Sequence, residues 1–235
     1  MNYSYDLHIH SCLSPCGDMD MTPNNIVNMA SLLGLDLIAV SDHNSALNLP
    51  AVFSVAEEAG LTVVPAIEAN SAEEVHVLCL FEKLEDALAC SDEFYDHLPP
   101  ILNRPDIFGE QVIMDRNDQP AGTVDKLLIN ALDLGLEALL TVVKKHHGLA
   151  IPAHVDKSAY SILANLGYIP PEYGFSCVEV KNPEADVAFS GHKITDSDAH
   201  YLQDLAEPVR FLELPEKSAK AVLETLRHPK RQGTD

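Results

Sequence analysis

The chain has 235 residues, with 36 acidic against 15 basic side chains and a formal net charge of −21. A surface of that sign repels nucleic acid and anionic membranes, and the few lysines and arginines are scattered, so neither a basic groove nor a polybasic anchor is in view. No apolar run approaches the roughly 18 residues of a membrane-spanning helix, the polar N-terminus does not resemble a signal peptide, and the odd count of 5 cysteines fits a reducing cytoplasm better than a disulfide framework.

In chain order, residues 5–10 (YDLHIH) alternate and predict a short strand. Thr22 as N-cap and Pro23 at the first helical position open a helix with an apolar stripe of Ile26, Val27, Ala30 and Leu33, closed by Gly34. Residues 35–40 predict an apolar strand that runs into Ser41-Asp42-His43. Leu49-Pro50 opens a second helix ending at Gly60. Residues 61–67 (LTVVPAI) predict a buried strand ending at Glu68, and residues 75–81 another that contains His76. Residues 99–122, rich in Pro, Asn and Asp, break the rhythm and predict an insertion with a hairpin, 111–114 turning at Asn117-Asp118. The alternation then resumes: a helix over 136–147 closed by Gly148, a strand over 149–153 ending at His154, a strand over 176–180 ending near Lys181, a strand over 193–195 leading to Asp196-Ser-Asp-Ala-His200, and a helix over 216–227. This order predicts a parallel α/β architecture in one domain over residues 1–235, with 99–122 inserted in it. Polar residues gather at the C-terminal ends of the strands, where such folds place their sites.

His8 and His10 are two residues apart, so on a strand they face the same side. Alone such a pair is as readily a surface feature as a metal site. His43, Glu68, His76, His154, Asp198 and His200 also fall at or near strand ends, so six histidines and two carboxylates recur at one kind of place. Nitrogen and oxygen donors of this kind suit zinc, manganese or iron. Asp42, beside His43, is expected to accept a hydrogen bond from a ligating imidazole. His146 and His147 sit at a helix C-terminus, where cations favour the dipole. Cys12 and Cys16 read as loop thiols, since a four-cysteine site would need a second close pair.

The motifs Asp6-Leu-His-Ile-His-Ser, Ala39-Val-Ser-Asp-His43, Pro65-Ala-Ile-Glu68, Val75-His-Val-Leu78, Pro152-Ala-His154 and Ser197-Asp-Ala-His200 together resemble the PHP family, the polymerase and histidinol phosphatase domain. The resemblance implies a distorted seven-stranded β/α barrel, TIM-like, with a trinuclear metal site at its C-terminal face and two to three divalent ions. It implies that His8, His10, Glu68 and Asp198 hold the first ion, that Glu68 bridges to a second held by His76 and His154, and that His43, His200 and a loop carboxylate hold the third. Asp18 is taken as that carboxylate, with Asp20 as the alternative. Where the family often has Pro-Gly before the bridging glutamate, this chain has Pro65-Ala66, which implies a small adjustment of the turn.

The activity so implied is hydrolysis of a small phosphate ester, a phosphomonoester or nucleotide, by a metal-activated hydroxide, with Glu68, Asp198 and His200 closest to the chemistry. The alternatives are an exonuclease or oligonucleotide phosphodiesterase, a metal-binding module without catalysis, and a hydrolase of other bonds. Three divalent ions against Asp18, Glu68 and Asp198 leave a local excess of about +3 for an anion on an otherwise acidic protein. Lys157, Lys181 and Arg104 are candidates to hold the phosphate. The resemblance implies a phosphorylated substrate; the acidic composition argues that it is small, with no membrane partner and no long nucleic acid, and leaves the oligomeric state open.

Overall fold

The computed structural model of the protein describes residues 1–228. Local chemistry sets the first helices. After β1 (Asn2–Ile9), α1 (Pro23–Leu33) opens with Thr22 accepting the N–H of Asn25 and Pro23 in the first turn, and it closes at Gly34 in the left-handed conformation, φ 83°. Then come β2 (Leu37–Val40) and α2 (Leu49–Ala59), which ends the same way at Gly60, φ 69°. The expected strand over 61–67 is two strands, β3 (Thr62–Val63) and β4 (Ala66–Asn70). Pro65 lies between them, has no N–H to give a ladder, and lets the chain change partners. Glu68 therefore stands inside a strand, not after one, and Ala66 takes ordinary strand geometry with no positive φ.

The remainder runs β5 (His76–Leu80), α3 (Leu84–His97), α4 (Pro105–Phe108), β6 (Val112–Met114), β7 (Pro120–Thr123), α5 (Leu136–Lys145), β8 (Leu149–Pro152), α6 (Ile162–Leu166), β9 (Cys177–Glu179), β10 (His192–Ile194), β11 (Phe211–Glu213) and α7 (Ala219–Arg227). The 99–122 segment contains α4 and the antiparallel β6–β7 hairpin, whose turn has Asp118 at φ 55°. After α5 the left-handed turn is taken by His147 (φ 62°) rather than by Gly148.

The sheet is mixed, which corrects the expectation of a parallel one. The order β11–β1–β2–β3 is parallel except for β11, β4–β5–β8 is antiparallel, and β9–β10 is a parallel pair. Single parallel bridges join His43 to Glu68 and Ile9 to Ala199 across the gaps between ladders. The antiparallel run matters for placement. β5 enters at the rim where β4 leaves, with Asn70 opposite His76, so a residue at the N-terminal start of β5 reaches the same rim as residues at the C-terminal ends of β1, β2 and β8.

The central strands β2, β4 and β5 are buried on both faces. Val77 and Cys79 face one core cluster with the helices, and Leu78 and Leu80 face a second with Leu7, Leu37, Ala39 and Ile151. That period of two is the signature of strands buried on both sides. Among the described residues no helix is long and apolar enough to cross a membrane.

Candidate metal centre

At the rim the two cores leave a polar island. Glu68 projects there from the middle of β4 and is 1% exposed. Its Oε1 lies 3.3 Å from His8 Nε2, 2.9 Å from His76 Nδ1 and 3.1 Å from His154 Nε2. Its Oε2 lies 3.3 Å from His10 Nε2 and 3.1 Å from His43 Nδ1. Asp198 Oδ1 stands 3.6 Å from His8 Nε2 and 3.4 Å from His10 Nε2. His200 stacks on His10 with ring centroids 4.3 Å apart. Eight of the nine expected ligands thus gather in one cluster, five imidazoles on the Glu68 carboxylate, Asp198 on His8 and His10, and His200 on His10. The donors form three overlapping groups whose atoms lie within 4.8 Å of one another: His8, His10 and Asp198; His43, Glu68 and His76; and His10, Cys16, His43 and His200.

Electrostatics follow from this crowding. Burial alone would raise Glu68, but His76, His8 and His43 outweigh it and hold the carboxyl well below its ordinary range. Burial likewise opposes charge on His8, yet Glu179, Glu68 and Asp198 hold it well above the ordinary imidazole value. His10 is pushed up to about 9 against burial by Asp198 and Glu68, while burial drives His43 well below the ordinary value despite Glu68. The buried carboxylates demand positive charge at this spot. Meanwhile His8 Nε2, His10 Nε2, His43 Nδ1, His76 Nε2 and His154 Nδ1 are buried without a hydrogen-bond partner. Orphaned imidazole nitrogens around buried carboxylates fit divalent cations in both charge and donor type.

A second set of residues orients the first. Glu179, from β9, is 3.0 Å from His8 Nδ1 through Oε1, and its Oε2 accepts the backbone N–H of His154 at 2.9 Å. Sequence reading missed it; the one signal was a carboxylate in an otherwise apolar strand, which burial obliges to find partners. Asp42 acts one step further back than expected. It accepts from Ser11 N–H (2.7 Å) and from the hydroxyls of Ser11 (2.6 Å) and Ser14 (2.7 Å), and it is the Ser14 Oγ that reaches His10 Nδ1, at 3.0 Å.

Asp18 is not in the cluster. Its carboxylate accepts the N–H of Asp20 at 2.8 Å, and Asp20 is exposed. Of the phosphate candidates, Lys157 lies at the site, with Nζ 2.5 Å from Asp198 Oδ2. Lys181 gives its ammonium to the carbonyl of Ser197, and Arg104 is exposed and paired with Asp106 at 2.6 Å, so neither lines the cleft. That cleft, about 380 Å³, exposes His43, Glu68, His76, His154, Lys157, Asp198 and His200. Two residues of the cluster hold left-handed backbone, His154 at φ 32° and Asp198 at φ 53°. Such conformations persist in side-chain-bearing residues only where the surroundings impose them, and they gather at functional sites.

A mixed α/β chain with a buried histidine–carboxylate cluster at one rim is the class of protein these features define. More specifically, the chain belongs to the PHP domain family, whose model matches residues 6–157. The matched span stops short of Glu179, Asp198 and His200. No curated protein matches the chain. Solved structures share its fold. The lesion-specific endonuclease Q of Pyrococcus furiosus has TM-score 0.70 at 19% identity, covering 97% of this chain and 56% of that one. Endonuclease Q in complex with a 27-mer duplex bearing an abasic lesion has TM-score 0.69 at 19% identity, covering 97% and 57%. A two-domain protein of Bacteroides vulgatus containing a predicted PHP-like metal-dependent phosphoesterase has TM-score 0.58 at 17% identity, covering 97% and 63%. The present chain therefore spans less than two thirds of the length of each of these.

Proposed function

We propose that the protein is a metal-dependent phosphoesterase acting on a small phosphate ester. The observation that carries this reading is Glu68: one buried carboxylate within 2.9 to 3.3 Å of five imidazoles. Three of the nitrogens facing it, His8 Nε2, His10 Nε2 and His43 Nδ1, have no hydrogen-bond partner, which no purely structural role of Glu68 calls for. His8, His10, His43, Glu68, His76, His154, Asp198 and His200 would hold two to three zinc, manganese or iron ions. Bound divalent ions supply Lewis acidity toward phosphoryl oxygens and lower the pKa of water. Glu68 links the donor groups. Glu179 and the Ser14–Asp42 pair keep His8 and His10 turned into the site. Lys157, at the mouth beside Asp198, offers an ammonium to a substrate phosphate. Asp198 and His200, which also line the cleft, would assist proton transfer.

The barrel reading belongs here too. Every strand except the β6–β7 hairpin contributes to or abuts one interior cluster, from Leu7 and Leu37 through Ala66, Leu78 and Ile151 to Cys177, Ile194 and Leu212. With the two single bridges, this supports a distorted barrel of seven staves, β1, β2, β3–β4, β5, β8, β9 and β10, with β11 added antiparallel to β1, formed as one domain with 99–122 inserted. Five unpaired cysteines support a reducing, cytoplasmic setting.

A second reading, a nucleotide or oligonucleotide phosphodiesterase, is favoured by the endonuclease Q likeness. The net charge of −21 argues against grip on a long duplex, which takes several lysine or arginine contacts. The test is phosphate release from p-nitrophenyl phosphate and cleavage of its bis ester and of a dinucleotide, by metal-reconstituted protein. Glu68→Gln and His154→Ala are expected to lose turnover at least a hundred-fold while keeping the circular dichroism of the parent. Full turnover in either variant would sink the proposal.

A further inference from the structure

One more side chain shares the cleft with the histidines: the thiol of Cys16. It stands in a turn wound by Ser14 N–H to Ser11 C=O (3.1 Å) and Gly17 N–H to Ser14 C=O (2.9 Å). Asp42 anchors this turn from inside through Ser11 and Ser14. Residue 17 has to be glycine, because a Cβ there would sit 2.3 Å from the carbonyl oxygen of Ser11. Just past the thiol, Asp18 N–H donates to the carbonyl of His200 at 2.9 Å. Sulfur and imidazole are thereby delivered to the same place by one backbone contact.

The sulfur lies within 4.8 Å of one nitrogen each from His10, His43 and His200, and these four form a mutually close set. Independently, His10 Nε2 and His43 Nδ1 are nitrogens without a hydrogen-bond partner on residues 0% and 3% exposed. The other cysteines, 12, 79, 90 and 177, are buried among apolar neighbours. The carboxylate expected at this position, that of Asp18, is turned to the Asp20 amide instead.

The geometry points to Cys16 as the thiolate ligand of a metal ion held with His43 and His200, with His10 flanking. This rests on the metal-dependent reading above and gives it a sharper content. When the ion binds, the Cys16 S–H bond breaks, the sulfur–metal bond forms, and the proton leaves to solvent. A thiolate is softer than the imidazoles and carboxylates of the rest of the cluster. Zinc or cobalt is therefore held here in preference to manganese or magnesium.

Cobalt(II) reconstitution of the full chain tests the assignment. Parent protein loaded with cobalt is expected to show a sulfur-to-cobalt charge-transfer band in the near ultraviolet beside the visible ligand-field bands. Cys16→Ser should lose the near-ultraviolet band and one equivalent of cobalt. Cys16→Asp should regain the equivalent without the band. Cobalt bound with no charge-transfer band in the parent, or a band that survives in Cys16→Ser, overturns the role of Cys16 alone. No cobalt bound at all overturns the metal reading beneath it. If either variant does not fold, iodoacetamide mapping of the parent decides: zinc should protect Cys16 from alkylation and chelation should expose it, whereas equal labelling with zinc bound overturns the assignment.

Discussion

At the residue scale, Glu179 fixes two expected ligands without belonging to the expected set. It faces His8 Nδ1 and receives the amide of His154, a residue whose φ of 32° needs support. Carboxylates that hold ligating imidazoles in this way are worth roughly 10–100-fold in metal affinity. Glu179→Gln keeps an acceptor but loses the charge, and is expected to weaken zinc binding about 10-fold, toward the lower end of that range. Glu179→Ala also strands a buried N–H and is expected to approach 100-fold. Competition against a chromophoric chelator measures both, and unchanged affinity in the alanine variant would remove Glu179 from the site. The histidines were legible in the sequence because each falls at or near an end of a predicted strand. Glu179 was not, since its partners are 171 and 25 residues away and nothing local announces the pairing. The place of Cys16 beside the histidines was not legible for a related reason. Spacing to another cysteine is visible in a sequence, whereas a turn that folds back onto His200 is not.

At the element scale, the helices with caps were read to within a residue or two because Thr22, Pro23, Gly34 and Gly60 carry local rules. Strand direction was not readable, because an apolar run buried on both faces looks the same in parallel and antiparallel ladders. Nor were β11's pairing with β1 or the break at Pro65 foreseen. The inserted hairpin was predicted, but its attachment was not. Its turn residue Asp118 accepts from Thr22 Oγ1 at 2.6 Å and from the Asn24 amide at 3.1 Å. A hairpin tip thus places a carboxylate at the N-terminus of α1, where the helix dipole favours it. Asp118→Ala is expected to unlatch the hairpin. Amides of residues 112–123 should exchange faster, and stability in urea should fall by about 1–2 kcal/mol, the worth of a charge-assisted bond at a half-buried cap. Unaltered exchange in the hairpin would mean that its other attachments hold it, the packing of Val112 and Met114 on Cys12 and their backbone hydrogen bonds to Asn48.

At the scale of the whole molecule, the question is how a chain of net charge −21 tolerates Glu68, Asp198 and Glu179 in one buried pocket. Cations bound preferentially by the folded state would answer it, and they would make stability depend on their concentration. At a free zinc concentration 100-fold above its dissociation constant the linkage contributes about 2.7 kcal/mol. A domain of this size gains about 2–4 °C per kcal/mol, so the melting temperature should rise by roughly 5–10 °C. Residual zinc binding to histidines and thiols of the unfolded chain would place the shift toward the lower end. Sodium chloride at matched ionic strength separates the two origins of stabilisation, since it screens the exposed surface charge but cannot enter a pocket of imidazole donors. The expected result of differential scanning calorimetry is a zinc-dependent shift that sodium chloride does not reproduce and that Glu68→Gln largely abolishes. A shift of equal size in Glu68→Gln would place the stabilising ion elsewhere on the acidic surface, and the cluster at the rim would lose its claim to be a metal centre.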